Sequence, residues 1–405
     1  MSKRVVIVGA GLAGLKTCER LRRNGYGGEI SIIGDEDRPP YDRPPLSKAL
    51  LKQTDVPELP ALSDAARLVE LDIDAHMGIR VKRIDTEARS VDLSNDTRLT
   101  YNQLIIASGV RARAVTPWES IPQVHSLRTF DDCLAIHHAA SQARSAIVIG
   151  AGVLGSEIAS SLTARGLDIT LIDQLPSPLH QTIGQQMGNF IGRIQRDHGV
   201  EMKLGTKVAR VESKAGSQEI AVILDDGSTW CTDMVVTAIG SAADLDWLSD
   251  SELELAAGVV VDDYGATNIS GVWAVGDIAS RRSPDSQQIQ RFEHWASASD
   301  MARSVGDNVS AALGIGQFAP FNEIPYFWSD QFGIKIQRLG IPTSVDDAVE
   351  LFRDTTTNKI LTAYVSGGKL DALASSRMPG PLMRCKTAVE QQLPIKELMR
   401  TEPWK

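Results

Sequence analysis

A chain of 405 residues is longer than one ordinary hydrophobic core organises, which points to two or three domains. Its 42% apolar content is that of a soluble globular protein, and no apolar run approaches the ~18 residues that would span a membrane. A net charge of −9 and a pI near 5.4 argue against a nucleic-acid binder held by phosphate contacts.

The opening MSKRVVIVGAG has the basic start and apolar stretch of a signal peptide, but glycines break the stretch and no cleavage-type ending follows. It reads as a first strand. Val5 to Val8 form a buried parallel strand, Gly9, Gly11 and Gly14 complete G-x-G-x-x-G, and Leu12 to Arg23 continue with helical spacing. In such a fingerprint the first glycine permits a tight turn and the second lets backbone approach a pyrophosphate. The third brings helix and strand together, so the helix N-terminus faces the phosphates. A second strand, Glu29 to Gly34, ends at Asp35 and Glu36, and an acid about 20 residues past the glycines suits a ribose hydroxyl. The plainer alternative, a glycine-containing turn in an ordinary α/β unit, leaves the joint presence of strand, spacing, helix and acid unexplained.

Further along, QLIIASG (Gln103–Gly109) is an apolar strand ending in small residues, where the chain crosses between domains, and RARAVTPWESIP (Arg111–Pro122) reads as a crossing linker. A second fingerprint follows. Ser145 to Ile149 is a strand, Gly150, Gly152 and Gly155 supply the glycines, Ser156 to Arg165 a helix, and Asp168 to Ile172 a strand ending at Asp173. The Asp173 carboxylate would hydrogen-bond a ribose diol and repel a 2′-phosphate. Gln174-Leu175-Pro176 offer no arginine to hold one, so NADH is favoured over NADPH. DMVVTAIG (Asp233–Gly240) is a second crossing strand. In ATNISGVWAVGDIAS, Val272 to Val275 form a strand that ends at Gly276-Asp277 before an expected helix start, where an aspartate can accept from ribityl hydroxyls. From Ile336 onward, alternating stretches such as Lys359 to Val365 read as antiparallel strands before a helical tail.

Two dinucleotide cradles in one chain imply two dinucleotides that meet. The economical chemistry is one cradle keeping FAD and the other admitting NADH, with hydride passing between stacked rings. Cys18, Cys133, Cys231 and Cys385 are far apart and form no C-x-x-C, which fits a reducing, cytoplasmic compartment with buried or inert thiols. His137-His138 fall in a helix and His294 stands beside Trp295. No spacing reads as a metal site, and no Ser/His/Asp constellation is present.

With YDRPPLSK (Tyr41–Lys48), SLRT (Ser126–Thr129), AVGD (Ala274–Asp277), FEHWASASDMA (Phe292–Ala302) and PYFWSDQFGIKIQ (Pro325–Gln337), the sequence resembles the two-dinucleotide-binding-domain flavoprotein reductases over nearly its whole length. Within them it is similar to the ferredoxin reductases of Rieske-type ring-hydroxylating oxygenases and bacterial cytochromes P450. YDRPPLSK and WSDQ are the specific motifs. The resemblance implies an α/β fold: two Rossmann-like dinucleotide-binding domains, for FAD and NAD, plus a C-terminal α+β domain. It places a discontinuous FAD domain at 1–112 and 242–318, an NAD domain at 113–241 and the C-terminal domain at 319–405.

Carried over by motif position, the resemblance implies FAD contacts at Ala13, Asp35, Lys48, Val81, Arg128, Asp277 and Trp295, with Arg43 on the pyrophosphate, besides Gly9, Gly11 and Gly14. For NAD it implies Gly150, Gly152, Leu154, Gly155, Glu157, Asp173 and Gly240. Lys48 would sit near the flavin, where a cation stabilises negative charge on the reduced ring, and Glu157 would pair with it at the hydride-transfer site. Without the motifs these two would read as a surface lysine and a solvated helix glutamate. Trp295 would stack on the flavin and lie toward the iron–sulfur partner; its alternative is core packing. Trp328 would pack or frame the flavin.

Disulfide reductases of this fold carry a cysteine pair near the first flavin-contacting helix, and NADH peroxidases and oxidases a single cysteine. YDRPPLSKALL has none, so electrons must leave for an external acceptor. The expected acceptor is a [2Fe–2S] ferredoxin feeding a terminal oxygenase in aromatic hydrocarbon catabolism; the compact length leans toward a ring-hydroxylating dioxygenase over a P450. Arg281, Arg282, Arg291, Arg303 and Arg338 are candidates for a basic docking face. The alternatives are a flavoprotein passing electrons to quinone or oxygen and, of a different class, an NADH-sensing interaction protein resembling apoptosis-inducing factor. The sequence departs from the family at Ala107-Ser108-Gly109, where A-T-G is usual. It also lacks an arginine in SPLHQTIGQQMG (Ser177–Gly188) and has a looser tail, RMPGPLMRCKTAVEQQ (Arg377–Gln392).

Overall fold

The run RVVIV becomes the strand Arg4–Val8, buried from Val5 to Val8 as a Val/Ile run in a two-sided parallel sheet requires. In the computed structural model, which describes residues 3–214, 219–282 and 289–405, it is the central strand of a five-stranded sheet. The order is Val272–Ala274, Gln103–Ile106, Arg4–Val8, Glu29–Gly34 and Ile73–Met77, parallel throughout. The run SAIVI repeats the pattern. Ser145–Ile149 is central to a second parallel sheet ordered Glu201–Leu204, Asp168–Asp173, Ser145–Ile149, Met234–Thr237 and Val124–Ser126. In both sheets the glycine fingerprint follows the central strand, at its C-terminal end.

The chain divides into two compact units. The first comprises Met1–Asp42, Leu59–Arg111 and Ser241–Pro325 and contains the first parallel sheet. In it the helix Leu12–Arg23 packs along the helix Trp295–Ala312, joined by an Arg20–Asp307 ion pair at 2.6 Å. A Cβ on Gly306 would strike the Arg20 side chain, so that glycine permits the close crossing.

The second unit comprises Arg43–Glu58, Ala112–Gly240 and Tyr326–Lys405. It holds the second parallel sheet and an antiparallel one ordered Tyr326–Gln331, Ile334–Gly340, Lys369–Ser376, Lys359–Ser366 and Ala348–Asp354. The helical segment His180–Asp197, broken at Gly184 where φ is +69°, lays Ile183, Met187, Phe190, Ile191 and Ile194 against Phe327, Ile336, Ile360 and Tyr364. Short helices Pro379–Arg384, Lys386–Glu390 and Ile395–Thr401 form the tail.

Three local expectations change. The helix of the second fingerprint is Val153–Ala164, starting at the glycines themselves and not at Ser156. After Gly276-Asp277 there is no α-helix: a single 3-10 turn, Gly276–Ile278, leads into the strand Ala279–Arg282. Gly276 at φ +75° makes the bend, and Ala279 then leaves in extended conformation. The crossing linker contains a short strand, Arg111–Ala112, and one helical turn, Thr116–Glu119.

Candidate functional site

The glycines of each fingerprint are there for different reasons. Gly9 has φ +118°, and a Cβ on it would lie 2.1 Å from the Ala107 carbonyl oxygen; one on Gly14 would lie 2.0 Å from that of Gly9. The second fingerprint repeats this: Gly150 has φ +106° and 2.3 Å to the Ala238 oxygen, and Gly155 has 1.8 Å to the Gly150 oxygen. At these four positions the protein approaches itself. Gly11 and Gly152 are different. Nothing lies within 4 Å of a Cβ built on either, and their φ values of −86° and −67° suit any residue.

Each of these two glycines is the N-cap of its helix, with no side-chain cap and no acid in the first turn. The orphan N–H groups and the positive end of the helix dipole at each terminus favour an anion. A pyrophosphate fits both positions, because a side chain at Gly11 or Gly152 would fill the space a phosphate needs while the fold alone would tolerate it.

Asp173 closes the second strand, as expected, and does more than the sequence indicated. Its Oδ2 accepts from the Ala151 N–H at 2.6 Å and its Oδ1 from the Leu175 N–H at 2.8 Å, so the carboxylate also braces the glycine turn. Asp35, its counterpart in the first cradle, is half exposed and pairs with Arg111 at 3.4 Å and Arg80 at 3.7 Å. Leu154 lies in the first turn of the second fingerprint helix, and Gly240, at φ +100°, also has nothing within 4 Å of a built Cβ.

Around the first cradle the fold gathers residues distant in sequence. A Cβ on Gly276 would lie 2.9 Å from the Ala13 Cβ and 3.8 Å from that of Ala298, so Asp277's turn, the fingerprint helix and the helix begun by Trp295 converge. The Trp295 indole N–H donates to Asp42 Oδ1 at 2.7 Å, and the residue is 36% exposed. It is therefore not the core residue its alternative reading required. Val81 is buried in the core of the same unit.

Arg43, Lys48 and Arg128, expected at FAD, lie in the second unit with the residues expected at NAD. Arg43 Nη1 donates to the Arg128 carbonyl at 2.6 Å. SLRT proves to be a helix entry: Thr129 caps Phe130–Gln142 in a capping box with Asp132, whose carboxylate also accepts from the Arg128 N–H. Lys48 Nζ meets Glu157 Oε2 at 2.7 Å. Glu157 is only 4% exposed and accepts two further bonds, from Ser47 Oγ and Ser329 Oγ, both at 2.6 Å. Neither serine, nor Asp42, was singled out from sequence. Their only signal was membership of the motifs YDRPPLSK and WSDQ.

Other expectations need correction. Arg338 is buried, 7% exposed, and donates to the Thr182 carbonyl at 2.8 Å, so it offers nothing to a docking partner. Arg281 pairs with Asp263, Arg282 with Glu254, Arg291 with Glu293 and Arg303 with Asp300, which weakens the positive face they were to form. Trp328 stacks on Tyr326 with centroids 6.0 Å apart. All four cysteines are free, but Cys231 is exposed, and the other three are buried. Cys133 lies beneath the PPLSK segment in space, its thiol donating to the Leu46 carbonyl at 3.4 Å. Burial, helped by Asp132, pushes that thiol up to about 11, so it stays protonated. Among the described residues no group of His, Cys, Asp and Glu could hold a metal ion, and no helix is long and apolar enough to cross a membrane.

Known proteins are similar to this chain in sequence and fold. The chain is 30% identical over 393 residues to rhodocoxin reductase of Rhodococcus erythropolis, covering 96% of this chain and 90% of that one. It is 31% identical over 341 residues to the ferredoxin–NAD(+) reductase component of the p-cumate 2,3-dioxygenase system of Pseudomonas putida, covering 83% and 81%. The solved ferredoxin reductase for the CYP199A2 system of Rhodopseudomonas palustris superposes with a TM-score of 0.90 at 28% identity, over 98% of this chain and 96% of that one. Residues 326–401 match the reductase C-terminal domain. Residues 3–302, which contain both cradles, match the pyridine nucleotide-disulphide oxidoreductase model. The chain therefore belongs to the pyridine nucleotide-disulphide oxidoreductase family, and with it binds a flavin and a nicotinamide dinucleotide.

Proposed function

We propose that the protein is an NADH-dependent ferredoxin reductase that holds FAD, takes hydride from NADH and hands single electrons to a [2Fe–2S] ferredoxin serving a terminal oxygenase. The observation that carries this reading is the pair of open glycine-capped helix N-termini, at Gly11 and Gly152, in one chain with the partly buried Lys48–Glu157 pair. The named relatives serve dioxygenase and P450 systems and support the choice of acceptor. In this reading 1–112 with 242–318 hold FAD, 113–241 hold NADH, and 319–405 form the C-terminal domain. Asp173 faces the ribose diol of NADH, and the four free cysteines are in keeping with the cytoplasm.

A bound flavin supplies a centre that accepts two electrons as hydride and returns them one at a time, as an iron–sulfur partner requires. The chain's own residues do the rest. The two helix N-termini anchor phosphates, Glu157 holds the Lys48 ammonium, and Asp42 holds the Trp295 ring. Cys133 touches the PPLSK segment through the Leu46 carbonyl, but as a free, buried thiol it holds no disulfide to reduce, which supports an external acceptor. The test is NADH-driven cytochrome c reduction with a panel of Rieske-type and P450-partner [2Fe–2S] ferredoxins. A rate that depends strongly on one ferredoxin class is expected. A rate indifferent to every ferredoxin, with electrons going to quinone or oxygen, would overturn the reading.

A further inference from the structure

The motif WSDQ marked the family in the sequence without having a task, and the fold gives two of its residues one. In the strand Tyr326–Gln331, Phe327, Ser329 and Gln331 face inward by the period-two alternation. From Gln331 an unbroken buried line runs in both directions. Gln195 Nε2 donates to Gln331 Oε1 at 2.9 Å, Gln331 Nε2 to Ser329 Oγ at 3.1 Å, and Ser329 Oγ to Glu157 Oε1 at 2.6 Å. On the other side Ser47 Oγ and Lys48 Nζ reach Glu157 Oε2 at 2.6 and 2.7 Å.

The direction of each bond is fixed by counting protons. A seryl hydroxyl has one, and the Gln331 amide already donates to the Ser329 oxygen, so the Ser329 proton points to Glu157. Ser47, Lys48 and Ser329 each present a donor to the Glu157 carboxylate, and the line is 0–4% exposed from Gln195 to Glu157, where water cannot substitute.

We propose that Ser329 and Gln331 are positioning residues that hold Glu157, and through it the Lys48 ammonium, in a single arrangement. That this matters for hydride transfer rests on the reading of Lys48 given above.

The test uses the flavin-loaded protein with Ser329→Ala, Ser329→Thr and, as a control, Asp330→Asn on the outward face of the same strand. Lys48 acylation is compared with that of the other lysines by mass spectrometry, since the Lys48 amine can attack a reagent only after leaving the Glu157 carboxylate. Flavin reduction by NADH is followed in parallel by stopped-flow absorbance. For S329A, loss of one bond to a charged group predicts roughly 10-fold faster Lys48 labelling and a roughly 10-fold lower limiting reduction rate, with the NADH dependence nearly unchanged. S329T and D330N should match the parent protein in both. Should S329A fail to fold, Gln331→Met, one bond further from the pair, asks the same question with a smaller expected effect. Unchanged Lys48 labelling in a folded variant would overturn the proposal. Faster labelling with unchanged flavin reduction would uphold it and overturn instead the role given to Lys48.

Discussion

One added methyl group separates the glycines that the fold needs from the glycine that its ligand needs. In the second cradle, G155A puts a Cβ 1.8 Å from the Gly150 carbonyl oxygen, where backbone must move. Overpacking of this kind costs ~1–3 kcal/mol or more. G152A meets nothing within 4 Å, and its φ of −67° is ordinary for alanine, so the fold loses only a helix N-cap preference, roughly 0.5–1 kcal/mol. On the ligand side the same methyl occupies the approach of a pyrophosphate, at a cost of ~1–3 kcal/mol, or about 5- to 150-fold in NADH affinity. The assay is the NADH dependence of flavin reduction, read with flavin content and thermal unfolding of each variant. G152A should keep its flavin, melt within about 3 °C of the parent and need 5- to 150-fold more NADH. G155A should lose stability before any question of binding arises. A folded G152A with unaltered NADH dependence would refute the argument that this backbone faces the dinucleotide.

Other expectations follow from the same geometry. Glu157→Gln leaves the Lys48 ammonium facing a neutral amide and should cost about 2 kcal/mol, less than the ~3–5 of a fully buried pair because the lysine side chain is 20% exposed; thermal unfolding measures it. The Asp307 carboxyl is pulled upward by burial but held below the ordinary aspartate range by Arg20 and Asn24, so its stabilisation is present above pH ~3.9 and is lost as pH falls through the folded value. Asp307→Asn should therefore be less stable than the parent by ~0.5–1 kcal/mol at pH 7, with the gap closing as pH falls below the ordinary aspartate range. A gap that widens on acidification in denaturant melts would contradict this. Iodoacetamide at pH 8 should label Cys231 alone in the folded protein and Cys18, Cys133 and Cys385 only after unfolding, as peptide mapping would show.

What could be read from sequence is what local spacing dictates. Each fingerprint packs its strand, turn, helix and second strand into about 30 residues, so the β-branched runs and the glycine offsets state the whole unit. Arg338 was misplaced for the opposite reason. An arginine is read as exposed unless a partner is visible, and its partner is a carbonyl at Thr182, 156 residues away. The helix expected after Asp277 failed because nothing in GDIAS separates a helix start from one 3-10 turn; the positive φ of Gly276 decided it. Serines give even less signal. Ser47 and Ser329 matter through a carboxylate that sequence alone would have left in solvent.

The two cradles also differ in how far they can be read, and the reason is topological. Asp173 is only 22 residues from the Ala151 N–H that it accepts, so the second cradle is completed within its own βαβ unit and its acid was legible. The first is completed by chain that returns after the inserted segment: Gly276 reaches Ala13, and Trp295 reaches Asp42 across 253 residues. Periodicity and spacing carry no information over such distances, so Ala13 and Trp295 were available only through motif resemblance and Asp42 not at all. The same contrast sets what each site can tolerate. A change in the second cradle's glycines should act locally on one dinucleotide. A change at Asp42 should act on the first cradle through a helix that begins 253 residues later, without altering any fingerprint residue.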